Sequence, residues 1–143
     1  MALRAVVIAV VATMGCAGSG ILEALPEANT PEGIGFAVRD TQFGAGDTAT
    51  LVLTNGTARN IGYNLCVSHL ERWDGKGWRT VGKMPENSAC ILPLYTLAPG
   101  DSAQYRQPIY DFIETGTYRF RDSIEWLGGG GRAEVISNGF RVR

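Results

Sequence analysis

The sequence has few of the side chains from which catalytic and metal sites are usually built. Its 143 residues include one histidine, His69, and three cysteines. A structural zinc site takes four ligands, mostly cysteine and histidine, so no metal site is predicted. Ser68 precedes His69, but neighbouring residues of a strand point to opposite faces, and no oriented carboxylate completes a serine triad. We therefore predict no catalytic residue, no cofactor and no enzyme activity.

The chain also lacks an excess of charge of either sign and a second long apolar run. Thirteen Lys and Arg residues stand against 14 Asp and Glu residues, which gives a formal net charge of −1. No basic stripe is visible, so a nucleic-acid partner is not expected. Beyond residue 12, no apolar run approaches the ~20 residues of a membrane-spanning helix. No long stretch keeps a helical period either, which excludes a mainly helical fold.

The first twenty residues have the three parts of a secretion signal. Arg4 is the only charged residue, a short apolar run covers residues 5–12, and small residues follow around Gly15 and Ala17. The apolar run lies within the roughly 7–15 residues of a signal core. We therefore predict that the rest of the chain is exported.

Cys16 follows Gly15 at the end of this apolar stretch, which resembles the lipid-attachment site of bacterial lipoproteins. The resemblance implies a signal peptide over residues 1–16, with cleavage before Cys16, and a lipid anchor on Cys16. The alternative is ordinary secretion with cleavage after Ala17. The lipid would hold the chain on a membrane of the cell envelope. The residue after Cys16 is Ala17, whereas an aspartate at this position often retains lipoproteins at the inner membrane. In a cell with two membranes, this favours the outer one.

The chain after the signal divides into a short leader and one domain. Residues 17–32 contain Pro26, Pro31 and several small or acidic residues, which is typical of a flexible tether. Residues 33–143 are enough for one domain of common size. We therefore expect a single folded unit behind the tether.

Cys66 and Cys90 remain as an even pair in an exported domain, which favours a disulfide between them. A bridge of that span would stabilise the fold by about 3 kcal/mol in the chain-entropy model. The alternatives are two buried free thiols or a weak metal-binding pair. Cys90 lies in the long segment 82–96, which the bridge would pin to the sheet. That segment is either an anchored crossover, which we favour, or a recognition loop.

Apolar residues alternate with polar ones along most of the domain, which predicts strands. Turn sequences such as Asn55-Gly56 separate these strands at intervals of roughly 8–12 residues. The residues predicted to face the core include Ile34, Phe36, Val38, Ala49, Leu51, Leu53, Ile61, Tyr63, Leu65, Val67, Tyr118 and Phe120. This pattern predicts an all-β antiparallel sandwich of about seven strands, with a small barrel as the alternative.

Five segments in this order resemble the bacterial immunoglobulin-like domains of exported proteins. The segments are residues 51–57, 70–78, 97–102, 116–120 and 137–142. The resemblance implies an immunoglobulin-like sandwich over residues 33–143. It implies no catalytic residues, because that family has no defined active site.

The comparison gives structural roles to four aromatic residues. Tyr118 stands where immunoglobulin-type folds place a tyrosine that bonds back to the preceding corner; the alternative is an ordinary half-buried strand tyrosine. Phe120 replaces the core cysteine of antibody domains. Trp73 and Trp78 lie on the two arms of a predicted hairpin and are expected to cover an edge of the core. With Trp126, they would otherwise form an exposed platform for sugars or peptides.

Asp122 conflicts with this pattern. It lies two residues after Phe120, so the alternation along the strand would place its carboxylate in the core with the Phe120 ring. A buried carboxylate needs a partner. We expect a bulge, or the wet end of the strand, to turn Asp122 away from the core.

These observations favour an exported immunoglobulin-like binding module on a lipid anchor. Its expected partner is a protein or another component of the cell envelope. The alternative is an inhibitor of a protease or of another enzyme, which would present loops from the sandwich. That alternative rests on fold-level analogy.

Overall fold

The computed structural model describes residues 30–81, 90 and 93–143. The predicted signal peptide, the lipid site at Cys16 and most of the predicted tether lie outside these residues. The described strands are β1 (Ile34–Val38), β2 (Gln42–Phe43), β3 (Thr48–Asn55), β4 (Ile61–Tyr63), β5 (His69–Trp73), β6 (Trp78–Thr80), β7 (Tyr95–Leu97), β8 (Ser102–Pro108), β9 (Gly116–Trp126), β10 (Arg132–Ile136) and β11 (Phe140–Val142). One 3₁₀ turn, Leu65–Val67, separates β4 from β5.

The strands form two sheets packed against each other, which confirms the predicted all-β sandwich. The first sheet has the order β1-β3-β8. The second is built around β9, which pairs with β10 and β11 on one side and with β4 and β5 on the other. β6 and β7 continue this sheet beyond β5 and β4, and β2 closes its far edge through a parallel pairing with β11.

The core lies between the sheets and is filled by the predicted alternating residues of β3 and β9. Ala49, Leu51 and Leu53 are fully buried on the inner face of β3. Phe120 is also fully buried, and its ring centroid lies 5.4 Å from that of Phe140. Inward residues of one sheet thus pack on those of the other, as in a sandwich core.

Residues 132–142 form two strands, β10 and β11, and the break between them begins at Ser137. Between the pair Ile136–Arg121 and the pair Phe140–Tyr118, the outer strand advances four residues and β9 advances three. The extra residue is a bulge. The side-chain hydroxyl of Ser137 accepts a hydrogen bond from the Phe120 amide at 2.8 Å, which keeps the β9 backbone satisfied at the break.

The predicted strand through residues 61–67 is interrupted in the same manner. From the pair Ile61–Trp126 to the pair His69–Arg121, the chain advances eight residues while β9 advances five. Three extra residues form the 3₁₀ turn, and the Asn64 side chain caps it by accepting from the Cys66 amide at 3.2 Å. Cys66 therefore lies on the turn and not on a strand, and Val67, which was predicted to face the core, is 39% exposed. Because the number of extra residues is odd, odd-numbered residues such as Ile61 face the core before the turn, and even-numbered residues such as Ser68 and Leu70 face it afterwards.

The last residues of the predicted tether contact the domain. The Ile136 amide donates to the Thr30 hydroxyl at 3.1 Å, and the Ile34 amide donates to the Pro31 carbonyl at 3.0 Å. The contacts of the domain therefore extend to Thr30, just before the predicted boundary at Gly33.

Candidate functional site

A cleft opens where one edge of each sheet meets the other. β8 is the edge strand of the first sheet, and β4 and β7 form the nearby edge of the second. The cleft has a volume of about 400 Å³. Its lining residues are Tyr63, Asn64, Leu65, Cys66, Tyr95, Gln104 and Tyr105. We call this feature the tyrosine cleft.

Two of its tyrosines form a cross-strand pair on β4 and β7. Tyr63 lies opposite Tyr95, and their ring centroids are 5.8 Å apart with a 39° tilt between the rings. Tyr95 is 47% exposed. Burial raises the pKa of Tyr63, and the neighbouring Tyr95 phenol adds to this effect. The Tyr63 phenol therefore keeps its proton at neutral pH and is available as a hydrogen-bond donor.

The predicted disulfide lies at the wall of the cleft. Cys66 and Cys90 are bridged with a Cα–Cα distance of 5.6 Å, which confirms the pairing. The Tyr105 hydroxyl donates to the Cys66 sulfur at 3.2 Å. Most of the segment 82–96, proposed as a crossover or a recognition loop, lies outside the described residues. Its last residues belong to β7 and bring Tyr95 into the cleft.

Asp122 is buried inside the sandwich, and the expectation of a bulge or a wet strand end is wrong. Its pairing with Val135 continues the regular register of β9 and β10, and the residue is 7% exposed. Its carboxylate accepts from the Ser68 hydroxyl at 2.5 Å and from the Ser123 amide at 2.7 Å. The 3₁₀ turn explains this partner, because it brings Ser68 inward beside β9. Burial raises the Asp122 pKa, although both hydrogen bonds and the nearby His69 oppose that shift.

Ser68, His69 and Asp122 do not form a serine nucleophile with a histidine base. Ser68 is 4% exposed and its hydroxyl donates to Asp122. His69 is exposed at the start of β5, opposite Arg121. The serine–carboxylate contact therefore ties the 3₁₀ turn to β9.

A charge cluster on the outer face of the second sheet was not predicted from the sequence. Glu71 is 6% exposed, and its carboxylate accepts from both Arg119 and Arg121 at 2.7 Å. Arg121 also contacts Glu134 at 2.8 Å. The alternating arginines of β9 were visible in the sequence, but the register that sets Glu71 opposite Arg119 was not.

The tryptophans lie at two separate places, and arginines lie over Trp78 and Trp126. Trp73 and Trp78 face each other across the hairpin with ring centroids 5.5 Å apart. The Arg119 guanidinium lies 4.3 Å from the centroid of Trp78. Trp126 lies elsewhere and is covered by Arg59 at 5.2 Å. The three rings therefore do not form one platform.

Tyr118 is buried, and its hydroxyl donates to the Glu114 carbonyl at 2.6 Å. This bond closes the corner that precedes β9. Burial raises the Tyr118 pKa, and the Arg72 guanidinium opposes that effect. The corner geometry is that of the tyrosine described for immunoglobulin-type folds.

One apolar side chain projects from the loop between β8 and β9. Phe112 is 62% exposed and stacks on Tyr110 with centroids 5.4 Å apart. Ile109 and Ile113 are buried on either side of it. The buried isoleucines hold the loop against the domain, and the Phe112 ring lies exposed between them.

The described part of the chain holds no cluster of three or more histidine, cysteine or acidic side chains placed to bind a metal ion. In residues 30–81, 90 and 93–143, no helix has the length and apolar character that crossing a membrane requires. A scan against protein-family models found no match to this chain, and a search of curated proteins found no similar sequence.

Proposed function

We propose that this chain is a non-enzymatic binding module of the bacterial cell envelope, exported and anchored through a lipid on Cys16. The tyrosine cleft is the observation that supports binding. It is concave, about 400 Å³ in volume, and combines exposed rings with polar groups. Small-molecule sites commonly have this size and character.

The elements around the cleft favour a preformed site. β4, β7 and β8 are fixed by sheet hydrogen bonds, and the disulfide fastens Cys90 to the 3₁₀ turn. A ligand then meets side chains on an ordered backbone, which lowers the entropy lost on binding. The same bridge supports export, because stable disulfides are typical of oxidising compartments.

An immunoglobulin-like domain is the class of sandwich that we propose. The Tyr118 corner bond supports it, as does the division into a β1-β3-β8 sheet and a sheet centred on β9. Phe120 fills the position of the antibody cysteine with a fully buried ring. The cysteines of this chain instead join a turn to the segment before β7.

The proposal is tested with the full chain purified from its natural envelope. Mass spectrometry should find a lipid on Cys16 and no secretion product that begins after Ala17. The purified chain should bind membrane-free envelope fractions, where the lipid contributes nothing, and Tyr95→Ala should weaken that binding about tenfold, as expected for loss of an aromatic contact of about 1.4 kcal/mol. Phe112→Ala is the matched control, since it removes an exposed ring that does not line the cleft.

The control also tests the second candidate, an enzyme inhibitor. The exposed Phe112 on an anchored loop favours this candidate. Three results together would support the inhibitor: Phe112→Ala abolishes binding, the captured material contains a hydrolase, and the wild-type chain lowers the turnover of that hydrolase. Equal binding by wild type and Tyr95→Ala would contradict a function of the cleft.

A further inference from the structure

The tyrosine cleft has a neutral lining with unused hydrogen-bonding groups. Three phenols, two carboxamides, a leucine and a disulfide sulfur line it, and none of its described lining residues is charged. The hydroxyls of Tyr63 and Tyr95 and the amide of Gln104 make no hydrogen bond to the described residues. Against these described residues, a charged ligand would lose solvation without gaining a counter-charge. The lining therefore favours a neutral ligand that forms hydrogen bonds.

The rings of Tyr63 and Tyr95 have no arginine over them, whereas three aromatic rings elsewhere in the domain do. Arginine guanidinium groups lie over Trp126, Trp78 and Tyr118 at 5.2, 4.3 and 6.0 Å from the ring centroids. No described cation lies over Tyr63 or Tyr95. An exposed phenol face offers a flat apolar surface bordered by its own hydroxyl.

We infer that the tyrosine cleft binds a neutral saccharide of one or two rings. A sugar ring has an apolar C–H face that packs on an aromatic ring, and its edge carries hydroxyls that pair with phenols and amides. The cleft volume lies within the roughly 300–1,000 Å³ range of small-molecule sites. This inference rests on the proposed function and names the ligand class of the same site.

Each lining group has a role in this arrangement. Tyr95, which is 47% exposed, forms the stacking surface at the mouth of the cleft. The Tyr63 hydroxyl and the Gln104 amide bond to the sugar hydroxyls from the two opposing sheet edges. Tyr105, whose hydroxyl already donates to Cys66, acts as a positioning residue for the wall.

The test uses the full chain with its disulfide intact, on an array of neutral and acidic di- to tetrasaccharides, followed by titration calorimetry. Neutral saccharides should bind, and the uronic-acid analogue of the best one should bind at least about tenfold more weakly. Tyr95→Ala should weaken binding about tenfold or more, in line with a lost aromatic contact. Gln104→Ala should weaken it less, about threefold to tenfold, the range for a neutral hydrogen bond. Phe112→Ala should bind like wild type, and circular dichroism should show that all variants are folded.

Two results would overturn the saccharide assignment. One is the absence of binding by any neutral saccharide at millimolar concentration; the other is unchanged affinity in Tyr95→Ala. Preference of the cleft for an acidic sugar or a peptide would also overturn it. In any of these cases, Tyr95-dependent binding to envelope fractions would still support the proposed function, so the two failures are distinguishable.

Discussion

Asp122 shows how one residue can depend on a break in a distant strand. Its inward parity was visible in the sequence, and the register of β9 confirms it. Its partner was not predictable, because Ser68 turns inward only after the three extra residues of the 3₁₀ turn. A local pattern predicts which face a side chain takes, but only tertiary contacts determine what satisfies it there.

The raised pKa of Asp122 makes stability depend on pH. A carboxyl whose folded-state pKa lies above its unfolded value binds its proton more tightly when folded. The stabilisation that this group contributes is therefore fully present below its unfolded-state pKa, near pH 4. It is lost as pH rises through the folded-state pKa. Each unit of difference corresponds to about 1.4 kcal/mol.

Asp122→Asn should remove this loss, because an amide oxygen still accepts from Ser68 without carrying charge. Urea unfolding from pH 3 to 8 should show the variant gaining stability relative to wild type as pH rises. Asp40→Asn, at an exposed position, is the control and should leave the profile unchanged. A destabilisation of Asp122→Asn that is equal at every pH would contradict this account.

At the scale of elements, the sequence predicted most of the strands but neither their interruptions nor the short strands β2 and β7. The alternating residues of β1, β3 and β9 have the predicted burial because each strand keeps one regular register there. The breaks near Ser68 and Ser137 were not predicted, because apolar and polar residues still alternate in the sequence on both sides of each break. Only the odd number of inserted residues, one or three, changes the inward face, and this is visible only against β9. The tyrosine cleft was missed for the same reason, since its wall includes the inserted turn.

Cross-strand charge pairing on β5 and β9 leads to a prediction for Glu71. Glu71→Gln leaves Arg119 without its carboxylate partner, while Arg121 keeps Glu134. Breaking a buried ion pair from one side costs about 3 kcal/mol or more, so we expect a loss of about 3 kcal/mol in the free energy of unfolding. The measurement is the urea midpoint at constant slope.

Glu134→Gln is the matched control on β10. The Glu134 side chain is 65% exposed, so its pair with Arg121 is screened by solvent. The loss should stay below about 1 kcal/mol. Similar losses for the two variants would mean that burial of Glu71 adds nothing to its pairing.

At the scale of the whole molecule, the disulfide reinforces a junction that β4–β7 pairing and the hydrogen bond from the Asn64 amide to the Pro93 carbonyl already make. The two sheets share a core formed by inward residues of β1, β3 and β9, which does not depend on Cys66 or Cys90. The bridge instead attaches the chain before β7 to the inserted 3₁₀ turn. We therefore expect its loss to weaken the fold and to loosen the tyrosine cleft without removing the sandwich.

Cys66→Ser/Cys90→Ser should lower the free energy of unfolding by about 3 kcal/mol, because a sequence separation of 24 residues is then unrestrained in the unfolded chain. Far-ultraviolet circular dichroism should still report β structure, since the core residues are unchanged. Reduced wild type should match the double variant, which separates loss of the bridge from the effect of the serines. If reduced and oxidised wild type unfold at the same urea concentration, the bridge does not restrain the unfolded chain. If the double variant loses its β spectrum, the sandwich depends on sulfur rather than on its apolar core.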